Sequence, residues 1–263
     1  MFGQGLARWR SRKLLAIGSH LMSETDRRPR SLQDAPQTTI EPVARRRRVS
    51  EWVDRNSEFV SARYDQLAGL INFLEWIFFL PPGLREQAVD RIALKPGDRV
   101  LEVGCGTGRN LPFLRERVGP GGQVYGVDLS SKMLAQANDL CARRGWSNVS
   151  LSQGDAVEYK APVPLDGVLF SLSYNTMPHH LAVLDHVLTQ LRPSGRVVIM
   201  DAKLPPGRAG AAILPFAVWL NDLTVLGNPH IRPWQHLAPL VDDFEMEERL
   251  FGAYYICRGR KPE

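Results

Sequence analysis

The chain has 263 residues, 44% of them hydrophobic, which is enough to bury one sizeable core. Its net charge of +5 is uneven: residues 1–49 hold eleven Arg/Lys against four Asp/Glu, which leaves the remainder near −2 and without the basic body that nucleic-acid binding requires. Cys105, Cys141 and Cys257 are odd in number and far apart, which argues against a disulfide framework or a metal-ligand set and for a reducing, cytoplasmic setting.

In chain order, residues 1–49 read as a basic, disordered leader, rich in Arg, Pro, Ser, Gln and Thr and ending in Arg45–Arg48. Its run Leu14–Ile17 is too short to span a bilayer. Two readings stand for it: an untidy terminus with the true start at Met22, or a polybasic segment attracted to anionic lipid. Order is expected from Ser50. Trp52, Phe59, Tyr64, Leu67, Phe73, Ile77 and Phe78 recur at three-and-four spacings, so residues about 50–92 predict cap helices, broken at Pro81-Pro82-Gly83.

Strand and helix then alternate. A strand is expected over about Arg99–Val103, a helix over Arg109–Val118, a strand in "QVYGVDLS", and a helix capped by Ser130 or Ser131 and stopped by Gly145. Strands in "VSLSQGDA" and "DGVLFSLS" follow. A helix comes next, with Leu181, Leu184, Leu188 and Leu191 inward, ended by Pro193 and Gly195, and then the strand "RVVIMDA". "FEMEERLF" and "AYYICRGR" sit at hairpin distance. This order predicts an α/β, doubly wound, mostly parallel sheet with an antiparallel C-terminal hairpin.

Ligands of such sheets bind at the carboxyl ends of the strands. Gly104, Gly106 and Gly108 stand there as G-x-G-x-G. The dinucleotide pattern G-x-G-x-x-G fails in both frames, because its third glycine is replaced by Arg109 or Leu111. Glu102, Asp128 and Asp155 surround the same crevice. Three carboxylates repel a pyrophosphate and suit a cationic ligand carrying an amine and a ribose.

"VLEVGCGTG", "GVDLS" with Met133 behind it, "GDA" and "LRPSGRVVIMD" together resemble the successive motifs of class I S-adenosylmethionine-dependent methyltransferases over roughly residues 60–255. Tyr64-Asp65 and the "LRPSG" turn are similar to the branch of ubiquinone/menaquinone methyltransferases and phospholipid N-methyltransferases. The resemblance implies that S-adenosylmethionine is the cofactor, with no metal. Its methionine part would lie on Gly104, Cys105, Gly106 and Gly108, with Glu102 at its amino group and Ser171 at the methionine end. Asp128 would take the ribose hydroxyls beside Leu129, Met133 would cover the adenine, Asp155 and the Ala156 N–H would meet its edge, and Tyr64 would close over the whole. The cofactor-binding core is then about 97–203, within a methyltransferase domain of residues 50–263.

Methyl transfer requires in-line positioning and, for some acceptors, a base. "SLSYNTMPHH" offers His179 or His180 as that base and Tyr174 and Asn175 as acceptor contacts. The apolar stretch 211–227, within an acceptor lid of about 204–240, suggests a small lipophilic acceptor, a quinone precursor or a phospholipid amine headgroup. Phe73, Trp76, Phe78 and Phe79 would form the opposite wall and "RPWQHL" a rim. Exposure of these surfaces would give peripheral membrane contact at the inner face. The alternatives are a small polar acceptor, a non-catalytic binding subunit, nucleic-acid binding through the arginine-rich leader, and a nucleotide oxidoreductase, which the glycine spacing disfavours.

Overall fold

A computed structural model describes residues 57–69, 80–224, 227–228 and 231–263. The arginine-rich leader, Trp52 and the aromatic run Phe73–Phe79 lie outside the described residues.

Helix α1 (Ser57–Leu67) precedes α2 (Leu84–Ile92). The alternating part then runs β1 (Arg99–Val103), α3 (Leu111–Val118), β2 (Gln123–Asp128), α4 (Ser131–Arg144), β3 (Val149–Gln153), β4 (Leu165–Ser171), α5 (His180–Gln190) and β5 (Leu191–Ala202). After it come α6 (Gly207–Thr224), the short α7 (Pro233–Leu237), β6 (Asp242–Arg249) and β7 (Tyr254–Arg260). The strands form one sheet in the order β3-β2-β1-β4-β5-β7-β6. The first five are parallel, β7 runs antiparallel to β5, and β6 closes the edge against β7. The chain winds outward from β1 to β3, then returns and winds the other way from β4, so the crevice between β1 and β4 is the topological switch point.

The period-two alternation of the strands sorts the core into two layers. Leu101, Val103, Val168, Phe170, Val197 and Ile199 face α5, whose Val183, Leu184 and Val187 are buried. Val100, Leu169, Val198 and Met200 face α2, α3 and α4, through Leu84, Ala88, Leu111, Leu114, Ala137 and others.

Local signals set most element ends. Ser130 Oγ accepts from the Met133 N–H at 3.2 Å, and Gly145 leaves α4 at φ 63°. Two expectations are corrected. Helix α5 stops at Gln190, before the LRPSG turn, because Leu191 pairs with Leu165 in the sheet and Arg192 precedes a proline. Leu181 is 51% exposed, whereas Leu184, Leu188 and Leu191 turn toward the core as expected, joined there by Val183 and Val187.

Candidate active site

Beyond Val103 the chain passes through Gly104, Gly106 and Gly108, all at positive φ. A Cβ on Gly104 would stand 2.6 Å from the Cβ of Ser173, whose hydroxyl donates to the Val103 carbonyl at 2.6 Å. The loops after β1 and β4 are therefore pressed together, and only glycine fits. The Gly106 N–H donates to Asp128 Oδ2 at 2.8 Å and the Ser130 N–H to Oδ1 at 2.9 Å, so one carboxylate ties the glycine loop to the start of α4. Burial raises the Asp128 carboxyl above its ordinary range against the pull of these two N–H donors, and the charge of Asp65 adds to the rise.

Glu102 falls on the sheet face toward α2 and is 1% exposed. Its Oε1 accepts from Asn110 Nδ2 at 2.5 Å, and its Oε2 has no partner. Burial lifts this carboxyl to about 7, against the Asn110 hydrogen bond and the charge of Arg85, with Asp128 reinforcing the rise. Arg85, in the first turn of α2, donates to Ser171 Oγ at 3.1 Å and to Asn110 Oδ1 at 3.4 Å. A carboxylate with a spare oxygen thus stands close to a guanidinium at the end of β1 and β4, a matched pair for a zwitterionic amino-acid group.

Helix α1 crosses the ends of β2 and β3 and is pinned there by side chains. Ser57 Oγ donates to Asp155 Oδ2 at 2.5 Å, Ser61 Oγ to the Leu129 carbonyl at 3.0 Å, and Ser130 Oγ to Asp65 Oδ1 at 2.5 Å. Tyr64 reaches down from the same helix to hydrogen-bond Thr176, and burial pushes its hydroxyl well up.

These parts enclose a cavity of about 510 Å³. Tyr64, Glu102, Gly104, Cys105, Gly106, Asp128, Leu129, Met133, Asp155, Ala156 and Ser171 all line it. Gly108 does not: its missing Cβ is needed for close packing, 2.7 Å from Leu111 Cδ1 and 3.1 Å from Ala137 Cβ. His179 lines the cavity from the exposed N-cap of α5. His180 is turned away, stacked on His236 with ring centroids 5.4 Å apart, and it is outside the lining. Tyr174 is fully buried, with its hydroxyl 3.2 Å from His236 Nδ1, and is likewise no acceptor contact, whereas Asn175 does reach the cavity. The expected Trp234 rim is also corrected, since that ring packs edge-on against Tyr255. The far end of the cavity is apolar, formed by Leu204, Ile213, Phe216, Ala217 and Leu250.

Residues 94–224 match the model of a methyltransferase domain family. A demethylmenaquinone methyltransferase of Geobacillus kaustophilus is 33% identical over 159 residues, covering 59% of this chain and 64% of that protein. The nocamycin O-methyltransferase of Saccharothrix syringae is 35% identical over 156 residues, 59% of this chain and 55% of that protein. This chain therefore spans under two thirds of the length of either relative. Among solved structures, Haemonchus contortus phosphoethanolamine N-methyltransferase 2, in complex with phosphomonomethylethanolamine and S-adenosylhomocysteine, superposes with a TM-score of 0.64 at 18% identity, over 80% of this chain and 61% of that one. Residues 94–224 of this chain therefore form a methyltransferase domain.

Three residues of this methyltransferase-domain site escape sequence reasoning. Arg85 lies in a helix with no motif, and only the fold carries it to Ser171. Asn110 stands at the N-cap of α3 without a side-chain cap hydrogen bond, and its amide is committed to Glu102. Asp201 stands next to last in β5, much as Asp128 ends β2, so an acid near the carboxyl end of a buried strand was the available signal. It is 4% exposed, lines the cavity, and accepts from the Asn175 N–H at 3.1 Å and the Ala202 N–H at 2.8 Å. Burial raises it to about 7 against those two donors.

Proposed function

We propose that this chain binds S-adenosylmethionine at the switch point and transfers its methyl group to a small lipophilic acceptor lying between the ends of β4 and β5 and helix α6. The observation that carries this reading is one cavity with two chemistries. One end holds Glu102, Asp128 and Asp155 around bare glycine backbone, and the other is closed by apolar side chains. The unpartnered Glu102 Oε2 supports the fit to the cofactor, because a buried acceptor left unsatisfied costs about 1–3 kcal/mol that an ammonium group would recover.

When bound, S-adenosylmethionine supplies a methyl activated by a sulfonium sulfur. Glu102 would hold the amine and Arg85 the carboxylate of its methionine part. Asp128 would offer its remaining lone pairs to the ribose, and Asp155 its carboxylate edge to the adenine amine. Met133 and Leu129 would pack on the ring, while Tyr64 and α1 exclude water from above. On the acceptor side Asp201 can take a proton near neutral pH, which His180 cannot do from its place outside the cavity. Of the acceptors that the relatives' names carry, a quinol ring on an apolar tail suits a wall of Leu204, Ile213, Phe216 and Leu250 better than a free polar amine.

Calorimetry should show S-adenosylhomocysteine binding to the chain, with no comparable affinity for a nicotinamide dinucleotide. Labelled methyl from S-adenosylmethionine, offered to a whole lipid-plus-metabolite extract, should then appear in the lipid-soluble fraction. Label confined to water-soluble compounds would remove the lipophilic acceptor, and no binding of S-adenosylhomocysteine would remove the whole assignment.

A further inference from the structure

The apolar end of the cavity does not stop at its lining. Helix α6 is uncharged from Ala209 to Asn221. Along it Ala212, Pro215, Phe216 and Trp219, spaced i, i+3, i+4 and i+7, lie on one face and are exposed. Phe216 and Trp219 are 55% and 59% exposed, with ring centroids 5.8 Å apart. Beside them projects the tip of the β6–β7 hairpin. Leu250, Phe251 and Gly252 all stand at positive φ there, and Phe251 is 93% exposed. Two non-glycine residues in the left-handed region cost roughly 1–2 kcal/mol each. That conformation holds a large apolar ring out into solvent, where it gains nothing in the isolated chain. The two elements meet at their bases, since a Cβ on Gly252 would lie 3.1 Å from Pro206 Cδ, at the entry to α6. Leu250, Ile213 and Phe216 belong at once to this rim and to the cavity wall.

We infer that the rim formed by α6 and the β6–β7 tip is a docking surface for an anionic lipid bilayer, with α6 lying in the interfacial plane and Trp219 and Phe251 inserted among the acyl chains. Three observations favour lipid over a folded partner. The rings project from two separate segments around an opening, so a rigid partner covering them would seal the cavity, whereas a fluid apolar phase covers them and leaves the opening in contact with lipid. No helix of the described residues is long and apolar enough to cross a membrane, which leaves the in-plane mode for a helix with one apolar exposed face. Arg208 stands exposed at the first turn of α6, where its guanidinium is complementary to anionic headgroups. The inference rests on the lipophilic-acceptor reading for its purpose, since a membrane-seated mouth would admit an acceptor dissolved in the bilayer without a passage through water.

The test is flotation of the full chain with phosphatidylcholine vesicles, with and without phosphatidylglycerol. The variant compared is Trp219→Ser/Phe251→Ser, in which neither changed residue lines the cavity. The unaltered chain should float with the anionic vesicles, and the variant should lose at least roughly tenfold in partitioning while binding S-adenosylhomocysteine with unchanged affinity. Phe251→Ala alone, at a hairpin tip, should lose a smaller part and guards against a folding defect in the double variant. Arg208→Glu should weaken the preference for phosphatidylglycerol. The inference is overturned if the unaltered chain stays unbound with both vesicle types, or if the variants float equally well. It is also overturned if light scattering shows a dimer that Trp219→Ser/Phe251→Ser dissociates, which would make the rim an interface between copies. Failure of S-adenosylhomocysteine binding would strike the proposed function and not this surface, while binding without flotation would strike this surface alone.

Discussion

A carboxylate at 1% exposure with one oxygen unpartnered destabilises the chain that contains it unless a cation arrives. Burial raises Glu102 from 4.5 to about 7, so between those values the folded chain keeps a proton that the unfolded chain has released. Its stabilising contribution is fully present below pH 4.5 and is lost as pH rises through 7. Glu102→Gln should therefore stabilise the ligand-free chain at pH 8 by about 1–3 kcal/mol, read as a higher midpoint in thermal or denaturant unfolding. The same substitution should weaken S-adenosylhomocysteine at least tenfold, since it removes the anion that would pair with the amine. With Glu102 intact, affinity should fall by up to about tenfold per pH unit below 7 as the carboxyl protonates; a pH-independent affinity would show that this group does not face the ammonium. Asp201 makes a separate claim. If it takes the acceptor's proton, kcat/KM should decline as pH falls below about 7, and Asp201→Asn should lower the rate and flatten that limb. An Asp201→Asn enzyme with the unaltered profile would leave Asp201 as a clamp for the Asn175 and Ala202 N–H groups and nothing more.

At the scale of elements, the glycine loop and α1 build the site from opposite sides. The loop is a tolerance device. Gly104 combines a left-handed backbone with a 2.6 Å approach to Ser173, so Gly104→Ala should cost about 2–4 kcal/mol of stability and widen the gap between the β1 and β4 loops. Gly145, which ends α4 in open space, should tolerate alanine at the cost of its φ alone, so the difference between the two variants isolates the contact. The loop was legible in sequence because close backbone approach leaves a glycine pattern. Helix α1 is a different case. Its attachment to the sheet runs through Ser57, Ser61 and Asp65, common surface residues whose pairing with Asp155, the Leu129 carbonyl and Ser130 carries no local signature. Boundary errors have the same origin: α5 gives way to β5 at Leu191 because a partner strand is available there.

For the molecule as a whole, the order of strands and helices, the two-layer core and the crevice at the carboxyl ends were readable from periodicity, because alternation in period two and in period 3.6 is a property of neighbouring residues. Glu102, Asp128 and Asp155 were readable too, each an acid at or just beyond the carboxyl end of a strand, where the fold puts ligands. Arg85 beside Ser171 was not, nor was the division between His179, which faces the cavity, and His180, which faces the core. Those facts depend on the angle at which α2 and α5 pack and on which side of a turn a ring falls. The apolar character of α6 was plain in the sequence, but whether that apolar face is buried or bare was not, since a run of Ala, Ile, Phe and Trp is the same run in a core or on a rim. Sequence alone determined the chemistry available and the end of the sheet where it gathers. Only the tertiary structure decided which groups share one cavity and which apolar faces were left uncovered, because burial is set by contacts between residues far apart in the chain.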